Sequence, residues 1–330
     1  MSARSAVRHL LSWAPVAGLV RRPEARPDGV SAVVRVRGDE EWIEPAVTSI
    51  RDFADEILVL DNGASDSTRR SIDRLARALG PRLVRLDCPA LDLFDVSNLG
   101  LARARYRFVV RWDADFVGHT DGPGDLRHLR RYLLALDRRR YFRVVLPAAE
   151  VAGDLRHQFP DRRLRHDGEA HTASAHARFV RVTREMPTDA LGAADRPLRG
   201  RPRLSLALES LAVPPYYATV RWPHVAYFHV HVKSAAHLLL RHFWLEWLAE
   251  PDTERYPTLE VYALEQARVR WGIADRGAAA AHLMRRVSEG LVPFDAALCG
   301  PYPALLQPHL DASRYTVEYA GAHIVGRRES

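Results

Sequence analysis

Two carboxylates that end one apolar run are the strongest chemical signal in this sequence. Residues 108–116 read Phe-Val-Val-Arg-Trp-Asp-Ala-Asp-Phe, which places Asp113 and Asp115 directly after the apolar residues. In a strand, alternate side chains point to the same side, so both aspartates can project together from the strand end. Two carboxylates with open places beside them suit a hard divalent cation that also keeps waters and phosphate oxygens. The pair therefore predicts a cation site.

A third carboxylate follows another short apolar run. Residues 56–60 stop at Asp61, and polar turn formers then lead into a helical pattern from about residue 68. Strand, polar turn and helix make the βα unit of an open parallel sheet, in which ligands bind beyond the carboxyl ends of the strands. We therefore expect Asp61, Asp113 and Asp115 along the same edge of one sheet.

A strand-like stretch late in the chain carries a second cluster of chemical groups. Residues 227–233 read Tyr-Phe-His-Val-His-Val-Lys, and this alternation places His229, His231 and Lys233 on one face. Lys233 is the single lysine of the chain. Its compact ammonium can approach a phosphate without the width of a guanidinium. Two histidines beside it favour a binding role over a purely structural one.

Alternating patterns along the chain predict the elements that position these residues. Strands are expected near 31–36, 56–60, 82–86, 107–112 and 142–147, and helices near 41–51, 68–79, 95–105 and 124–138. This alternation is typical of an α/β fold with a doubly wound sheet. Beyond it we expect little periodicity over 150–205, a helix from Ser234 to about 249, a helical stretch over 258–290, and a loop-rich tail from 291.

Composition restricts the broad class of the protein. The 330 residues are 47% hydrophobic, enough for one large domain or a domain with an appendage. Cys88 and Cys299 make neither a disulfide framework nor a metal-ligand pattern, so a reducing cytoplasm is expected. No apolar run is long enough to span a membrane. The net charge of +7 suits a phosphate-rich ligand or an anionic membrane face. The sequence lacks a basic stripe interleaved with aromatic residues, which would have indicated nucleic-acid binding.

Three stretches resemble the family 2 glycosyltransferases in order and spacing. Residues 33–43 resemble the opening strand and turn of that family, and residues 53–68 resemble its second strand with the Asp-x-x-Ser-x-Asp-x-Thr turn. Residues 97–104, followed by 109–115, resemble its helix and metal-binding strand end. The resemblance implies a GT-A fold, a Rossmann-like open mixed sheet with helices on both faces, here with a mainly helical C-terminal region.

The resemblance also implies a metal and a donor substrate. Asp113 and Asp115 would hold a divalent metal, Mn²⁺ or Mg²⁺, and His229 or His231 would complete its shell. Lys233 would contact the diphosphate of a nucleoside-diphosphate sugar.

Further roles by resemblance concern the nucleotide. Asp61 would hydrogen-bond the nucleobase, and Asp113 could contact the ribose instead of the metal. Asp39 or Glu40 would lie by the nucleotide at the first strand end, where Gly38 replaces the asparagine that the family often has.

Sugar transfer also needs a base that takes the proton from the acceptor hydroxyl. Glu209 lies about twenty residues before the histidine stretch, where several relatives place an acidic residue. Glu150, at the end of a predicted strand, is its rival, followed by Asp189. For each of them, a surface or salt-bridge role is equally compatible with the sequence.

The predicted organisation has three parts. Residues 1–28 form an N-terminal arm, flexible or docked on the surface. Residues 29–233 form the transferase domain, with a nucleotide-sugar half (29–150) and an acceptor half (151–233). Residues 234–330 form the helical region.

The leading hypothesis is a cytoplasmic, metal-dependent glycosyltransferase, inverting if the family's single-displacement chemistry holds. Its acceptor would be a small-molecule natural product or a cell-envelope glycan, and its basic surface would allow peripheral contact with the inner membrane face. Three alternatives stay open: a degenerate relative that binds nucleotide without turnover, a nucleotidyltransferase, and a basic protein that binds nucleic acid or an anionic surface.

Overall fold

The structure is a computed structural model that describes residues 3–38, 40–88, 91–186, 204–248, 250, 252, 254–312 and 314–330. Its strands are β1 (Val30–Gly38), β2 (Glu56–Ala64), β3 (Leu83–Asp87), β4 (Phe108–Asp113), β5 (Phe116–Gly118), β6 (Tyr141–Ala152), β7 (His157–Gln158), β8 (Leu164–Thr172), β9 (Arg178–Met186), β10 (Leu204–Ala212), β11 (Tyr217–Arg221), β12 (Tyr227–His231), β13 (Val292–Pro293), β14 (Tyr315–Ala320) and β15 (His323–Glu329). Its helices are α1 (Ala3–Leu11), α2 (Ile43–Ser49), α3 (Asp66–Leu79), α4 (Leu93–Arg103), α5 (Leu126–Ala135), α6 (Ala235–Leu248), α7 (Leu259–Trp271), α8 (Arg276–Glu289), α9 (Ala296–Cys299) and α10 (Gln307–Ala312).

Nine strands form one open mixed sheet in the order β3-β2-β1-β4-β8-β6-β12-β5, and β11 pairs with the first half of β6. The strands β1 to β4 are parallel to one another. Strand β8 runs antiparallel to β4 and β6, and β5 runs antiparallel to β12. The predicted α/β fold class with an open mixed sheet is confirmed.

Helices cover both faces of this sheet because alternate strand residues point to opposite sides. Helices α2, α3 and α5 pack with the buried residues Ala32, Val34 and Val59 on one face. Helix α4 packs on the other face, where Gly100 allows a close approach to β1. A Cβ atom at Gly100 would lie 2.3 Å from Cγ1 of Val33. Every predicted strand and helix of the first half is present, with shifted ends.

Helix α3 begins earlier than expected. The sequence pattern predicts a helix from about residue 68. In the structure, Ser65 is the N-cap and its side chain accepts a hydrogen bond from the backbone N–H of Thr68. Ser65 has the extended backbone that a cap requires, so the helix starts at Asp66.

The C-terminal region contains the helices α6, α7 and α8 around a core of its own. The helical stretch expected over 258–290 is present as two helices, α7 and α8. Gly272 follows α7 in the left-handed conformation, and its backbone N–H donates to the carbonyls of Ala267 and Arg268. A glycine at this position ends a helix at little steric cost.

The tail from residue 291 is more regular than the predicted loops. It forms β13, α9, α10 and a hairpin of β14 and β15, which turns at Gly321. Buried Tyr315 and Val317 fix this hairpin, and the backbone N–H of Val317 donates to the carboxylate of Asp154. The alternation of apolar and polar residues in each strand of this hairpin is short, so the sequence pattern alone does not predict the hairpin.

Part of the N-terminal arm contacts the residue that precedes β6. The guanidinium of Arg140 lies 4.1 Å from the ring centre of Trp13 and donates to the backbone and side-chain oxygens of Ser12. In the described part of the chain, no helix is long and apolar enough to cross a membrane.

Candidate functional site

The carboxyl edge of the sheet brings the predicted aspartates together. Asp61 in β2 pairs with Val36 of β1, and Asp113 in β4 pairs with Arg35 of the same strand. The two carboxylates therefore flank the end of β1. Asp115 follows two residues after Asp113, so all three lie at one edge, as the strand pattern predicts.

Asp115 faces the two histidines of β12. The ligand atoms of Asp115, His229 and His231 all lie within 4.8 Å of one another. His229 Nε2 is 3.5 Å from Asp115 Oδ1, and the two imidazole centres are 3.7 Å apart. Phe116 packs edge-on against His229 and limits its orientation. We call Asp115, His229 and His231 the histidine cluster.

The pairing of β12 explains why this cluster forms. Strand β12 lies between β5 and β6, and His229 pairs with Phe116, the residue after Asp115. The backbone N–H of Val230 donates to the carbonyl of Asp115 at 2.9 Å. Residues from two distant parts of the sequence are thus fixed side by side through main-chain hydrogen bonds.

Lys233 sits next to the histidine cluster. Its ammonium Nζ is 3.0 Å from Asp115 Oδ2 and 3.1 Å from Glu40 Oε2. The side chain is only 6% exposed. Although burial disfavours its charge, the carboxylates of Asp115 and Glu40 raise the pKa of Lys233. The lysine is therefore a charged group at a place that its two acidic neighbours define.

The electrostatic state of the cluster suits a cation. Burial opposes ionisation of Asp115, but the charge of Lys233 and the contact with His229 hold the pKa of this carboxylate well below its usual value. Burial, together with the neighbouring His229, holds the pKa of His231 well below its usual value. An ionised carboxylate and a neutral imidazole are the forms that bind metals.

Asp113 belongs to a different network. Its carboxylate accepts a hydrogen bond from Arg35 at 2.8 Å and lies 3.6 Å from the guanidinium of Arg111. Burial alone would raise its pKa, but the charges of Arg111 and Arg35 outweigh that effect and lower the pKa of Asp113 to about 2. The predicted pair is therefore divided between two environments, and a metal-binding role of Asp113 stays a prediction.

Glu209 completes this second network, which we call the arginine cluster (Arg35, Arg111, Asp113 and Glu209). Its Oε2 accepts from Arg35 at 2.6 Å and from Arg111 at 3.1 Å. The Glu209 side chain is 6% exposed, and its Oε1 has no hydrogen-bond partner among the described residues. Glu209 thus ties β10 to β1 and β4.

Glu150 lies on the other side of the histidine cluster. It is fully buried in β6, opposite His229 in the strand pairing. Its Oε2 accepts from Arg165 at 3.1 Å, and its Oε1 is 3.6 Å from His231 Nε2. As with Glu209, this Oε1 lacks a hydrogen-bond partner within the described chain. Both candidate bases therefore have one arginine-bound oxygen and one without such a bond.

Asp61 uses both of its carboxylate oxygens within the fold. Oδ1 accepts from the backbone N–H groups of Gly63 and Ala64, and Oδ2 accepts from Arg69 and Arg85. Against the effect of burial, the hydrogen bond from Ala64 and the bond and charge of Arg69 lower the pKa of Asp61. A contact with a nucleobase stays a prediction, because this carboxylate already orders the turn after β2.

Two predicted residues, Asp39 and Asp189, lie outside the described residues. Glu40 is described and contacts Lys233, as noted above. Its pKa is raised by burial, with the charge of Lys233 acting in the opposite direction. The first strand end thus contributes a carboxylate to the site, through the lysine.

Sequence reasoning did not name Arg35 and Arg111, although a signal was present. Each interrupts an apolar strand, in Val-Val-Arg-Val and in Val-Val-Arg-Trp. A guanidinium inside a strand that is otherwise buried needs carboxylate partners, because an unpaired buried charge is costly. The two strands are neighbours, so a shared acidic partner could have been expected, but not its identity.

The histidine cluster fits a divalent metal. One carboxylate and two imidazoles are a common ligand set that leaves positions open for other ligands. Glu150 Oε1 lies 3.6 Å from His231 Nε2 and has no hydrogen-bond partner among the described residues. It is therefore an acceptor that can orient this imidazole. Lys233 Nζ lies close to one Asp115 oxygen, so a metal would share this carboxylate with the lysine.

Residues 31–133 match the family model described as Glycosyl transferase family 2. This segment is therefore similar to the family 2 glycosyltransferases. The resemblance predicted from the sequence is therefore confirmed. The family 2 segment supplies Asp113 and Asp115, whereas His229 and His231 lie beyond its end.

The chain is also similar to several solved structures. The S. aureus TarS 1–349 structure in complex with UDP is 18% identical with a TM-score of 0.32, over 38% of this chain and 37% of that chain. Mannosyltransferase PcManGT from Pyrobaculum calidifontis, in complex with GDP-Man and Mn²⁺, is 16% identical with a TM-score of 0.36, over 94% of this chain and 89% of that chain. These scores indicate a loose likeness, and the chain spans 37% of the TarS structure in its UDP complex. No sequence among the curated proteins matches this chain.

Proposed function

We propose that this chain is a metal-dependent glycosyltransferase that moves a sugar from a nucleoside-diphosphate sugar to an acceptor hydroxyl. The observation that carries the proposal is the meeting of Asp115, from the family 2 segment, with His229 and His231, from a strand beyond it. A carboxylate pair alone is common in proteins. Here, two segments that are far apart in the sequence place three ligand atoms within 4.8 Å of one another, which supports a cation site.

The donor set favours Mn²⁺ over Mg²⁺. Mg²⁺ prefers an octahedron of oxygen ligands, whereas imidazole nitrogens suit softer divalent ions. When bound, the cation would neutralise charge on the diphosphate as it leaves the sugar. Asp115, His229 and His231 would hold it.

The residues of the chain itself would bind and orient the donor. Lys233 would donate from its ammonium to a diphosphate oxygen, because it is charged and held beside the cluster by Glu40. Asp113 would accept from a ribose hydroxyl, since Arg35 and Arg111 keep it ionised.

The base would be Glu209 or Glu150. Glu209 is the better candidate, because its bonded oxygen is fixed by two arginines of neighbouring strands and its other oxygen lacks a hydrogen bond in the described chain. A proton taken from the acceptor hydroxyl by this oxygen allows a single displacement, which inverts the sugar carbon. The acceptor would be a small-molecule natural product or a cell-envelope glycan.

Calorimetric titration of UDP, GDP and dTDP with and without Mn²⁺ tests the donor site, on the wild type and on Asp115→Ala. We expect metal-dependent binding of one nucleotide that the substitution abolishes. If folded wild-type protein binds none of the three at low salt, the transferase proposal is wrong. The rates at which Glu209→Gln and Glu150→Gln turn over the matching nucleotide sugar then show which carboxylate is the base.

A second candidate function is nucleotide binding without turnover. The observation that favours it is that one carboxylate oxygen of each candidate base is already held by arginine. The two functions differ in one measurement, the release of nucleoside diphosphate from the bound sugar donor. Release at a rate that Glu209→Gln reduces would exclude the non-catalytic function.

A peripheral contact with an anionic membrane face is the remaining part of the proposal. Several large apolar side chains are exposed on and just after α1, among them Leu10 at 71% and Leu19 at 79%, and Arg21 and Arg22 follow directly. Exposed apolar residues beside arginines suit an interfacial segment. Co-sedimentation with vesicles rich in phosphatidylserine, compared with phosphatidylcholine alone, tests it. Equal recovery in the supernatant with both vesicles would reject it.

A further inference from the structure

The outer rim of the candidate site carries two cations around one indole. Arg37, one residue before the end of β1, places its guanidinium carbon 6.0 Å from the ring centre of Trp244. Arg241 of α6 places its own guanidinium carbon 5.8 Å from the same centre. Two guanidinium groups from different layers of the fold therefore converge on a single aromatic ring.

Neither guanidinium has a carboxylate partner within 4.0 Å in the part of the chain that the structure describes. The acids of the site are already paired, Asp113 and Glu209 with arginines and Glu40 with Lys233. Both guanidinium carbons lie near one ring centre, so they are at most about 12 Å apart. An anion bound between two guanidinium groups that lack a carboxylate partner would be attracted by both.

The two cations face the candidate donor site. Arg37 lies two residues beyond Arg35 and therefore on the same face of β1 as the arginine cluster. Arg241 lies close enough to Glu40 and Lys233 to act on both electrostatically. The pair is thus placed beside the only lysine, at the open edge of the sheet.

We propose that Arg37 and Arg241 form a clamp for the diphosphate of the donor nucleotide, with Trp244 as their common support. Guanidinium groups bind phosphate oxygens through paired hydrogen bonds, and the indole face limits the motion of their long side chains. The clamp rests on the proposed function. It also makes α6 a part of the donor site.

The test uses the full chain and titrates inorganic pyrophosphate without metal, then UDP and GDP with Mn²⁺. Arg37→Gln and Arg241→Gln are each expected to weaken binding roughly tenfold, the loss of one charge-assisted hydrogen bond, and the double variant to weaken it further. The control is Arg221→Gln combined with Arg276→Gln, two exposed arginines on β11 and at the start of α8. This control removes the same charge and is expected to bind as the wild type does.

The results separate a wrong clamp from a wrong function. Unchanged nucleotide and pyrophosphate affinity in the double variant, with wild-type binding intact, overturns the clamp and leaves the transferase proposal in place. Equal weakening in the control double variant also overturns it, because the effect would then be net charge alone. Failure of the wild type to bind any nucleoside diphosphate overturns both. Thermal melting of each variant checks that these exposed substitutions leave the fold intact.

Discussion

Asp113 and Asp115 are identical residues two positions apart, yet the fold gives them different partners. Asp113 lies between two arginines, which compensate its charge within the protein. Asp115 lies against two histidines and a lysine, and with the histidines it forms the group that we propose as the cation site. The spacing of a motif therefore predicts which edge the carboxylates reach, whereas neighbouring strands decide what each carboxylate can bind.

The largest expected effect is the loss of metal binding on one side of this comparison only. Asp115→Asn keeps the shape of the side chain but removes its charge, so it should abolish Mn²⁺ binding. Asp113→Asn should leave Mn²⁺ binding within a few-fold of the wild type. The free Mn²⁺ signal in electron paramagnetic resonance measures both. Equal loss in the two variants would show that the aspartates act as a pair.

A second large effect concerns stability in the arginine cluster. Glu209→Gln leaves Arg35 and Arg111 with one fewer carboxylate in a nearly buried place, so the free energy of unfolding should fall by about 3 kcal/mol. Urea denaturation at neutral pH measures it. Glu265→Gln, on the exposed pair with Arg268, is the matched control and should produce no measurable change. A cluster that contributes no more than this surface pair would contradict the expectation.

The fall in the free energy of unfolding at acid pH should depend on Asp113. Its pKa of about 2 in the folded protein lies below the usual 3.8, so the ionised form stabilises the fold above about pH 4. This contribution, about 2 kcal/mol, should be lost as the pH falls from about 4 to about 2. Asp113→Asn should therefore lower stability at neutral pH and flatten the curve in that window. Parallel curves for variant and wild type would disagree with the ion pairs described.

The smallest expected effect tests the compact charge beside Asp115. Lys233→Arg keeps the charge but places a wider head between two carboxylates in a position that is 6% exposed. We expect nucleotide affinity in Mn²⁺ to weaken roughly tenfold. Calorimetry measures it, and the change in net charge is zero. An arginine that binds nucleotide as well as the lysine would remove the reason for a unique lysine here.

Much of the site edge was predictable, because strand alternation and turn residues are local signals. The runs before Asp61 and Asp113 define two strands, and the parallel arrangement brings their ends together. His229 and His231 lie on the same face of β12 because side chains alternate along a strand with a period of two residues. Such features depend on a few consecutive residues.

The partners across the fold were not predictable from single stretches. Glu209 meets Arg35 and Arg111 only because β10 lies over strands that are far from it in sequence. Similarly, the division of the helical stretch at Gly272 depends on a backbone conformation that helical periodicity does not reveal. Long-range pairing and the backbone conformation of single residues lie outside what periodicity can show.

The position of β12 has a consequence for how the protein can be divided. This strand hydrogen-bonds to β5 on one side and to β6 on the other, while β8 lies between β4 and β6. A fragment that ended at residue 150 would leave β4 and β6 without those neighbours. Bare strand edges pair with other chains, so such a fragment would aggregate during expression. Truncations intended for crystallisation should therefore keep everything from β1 to β12 together.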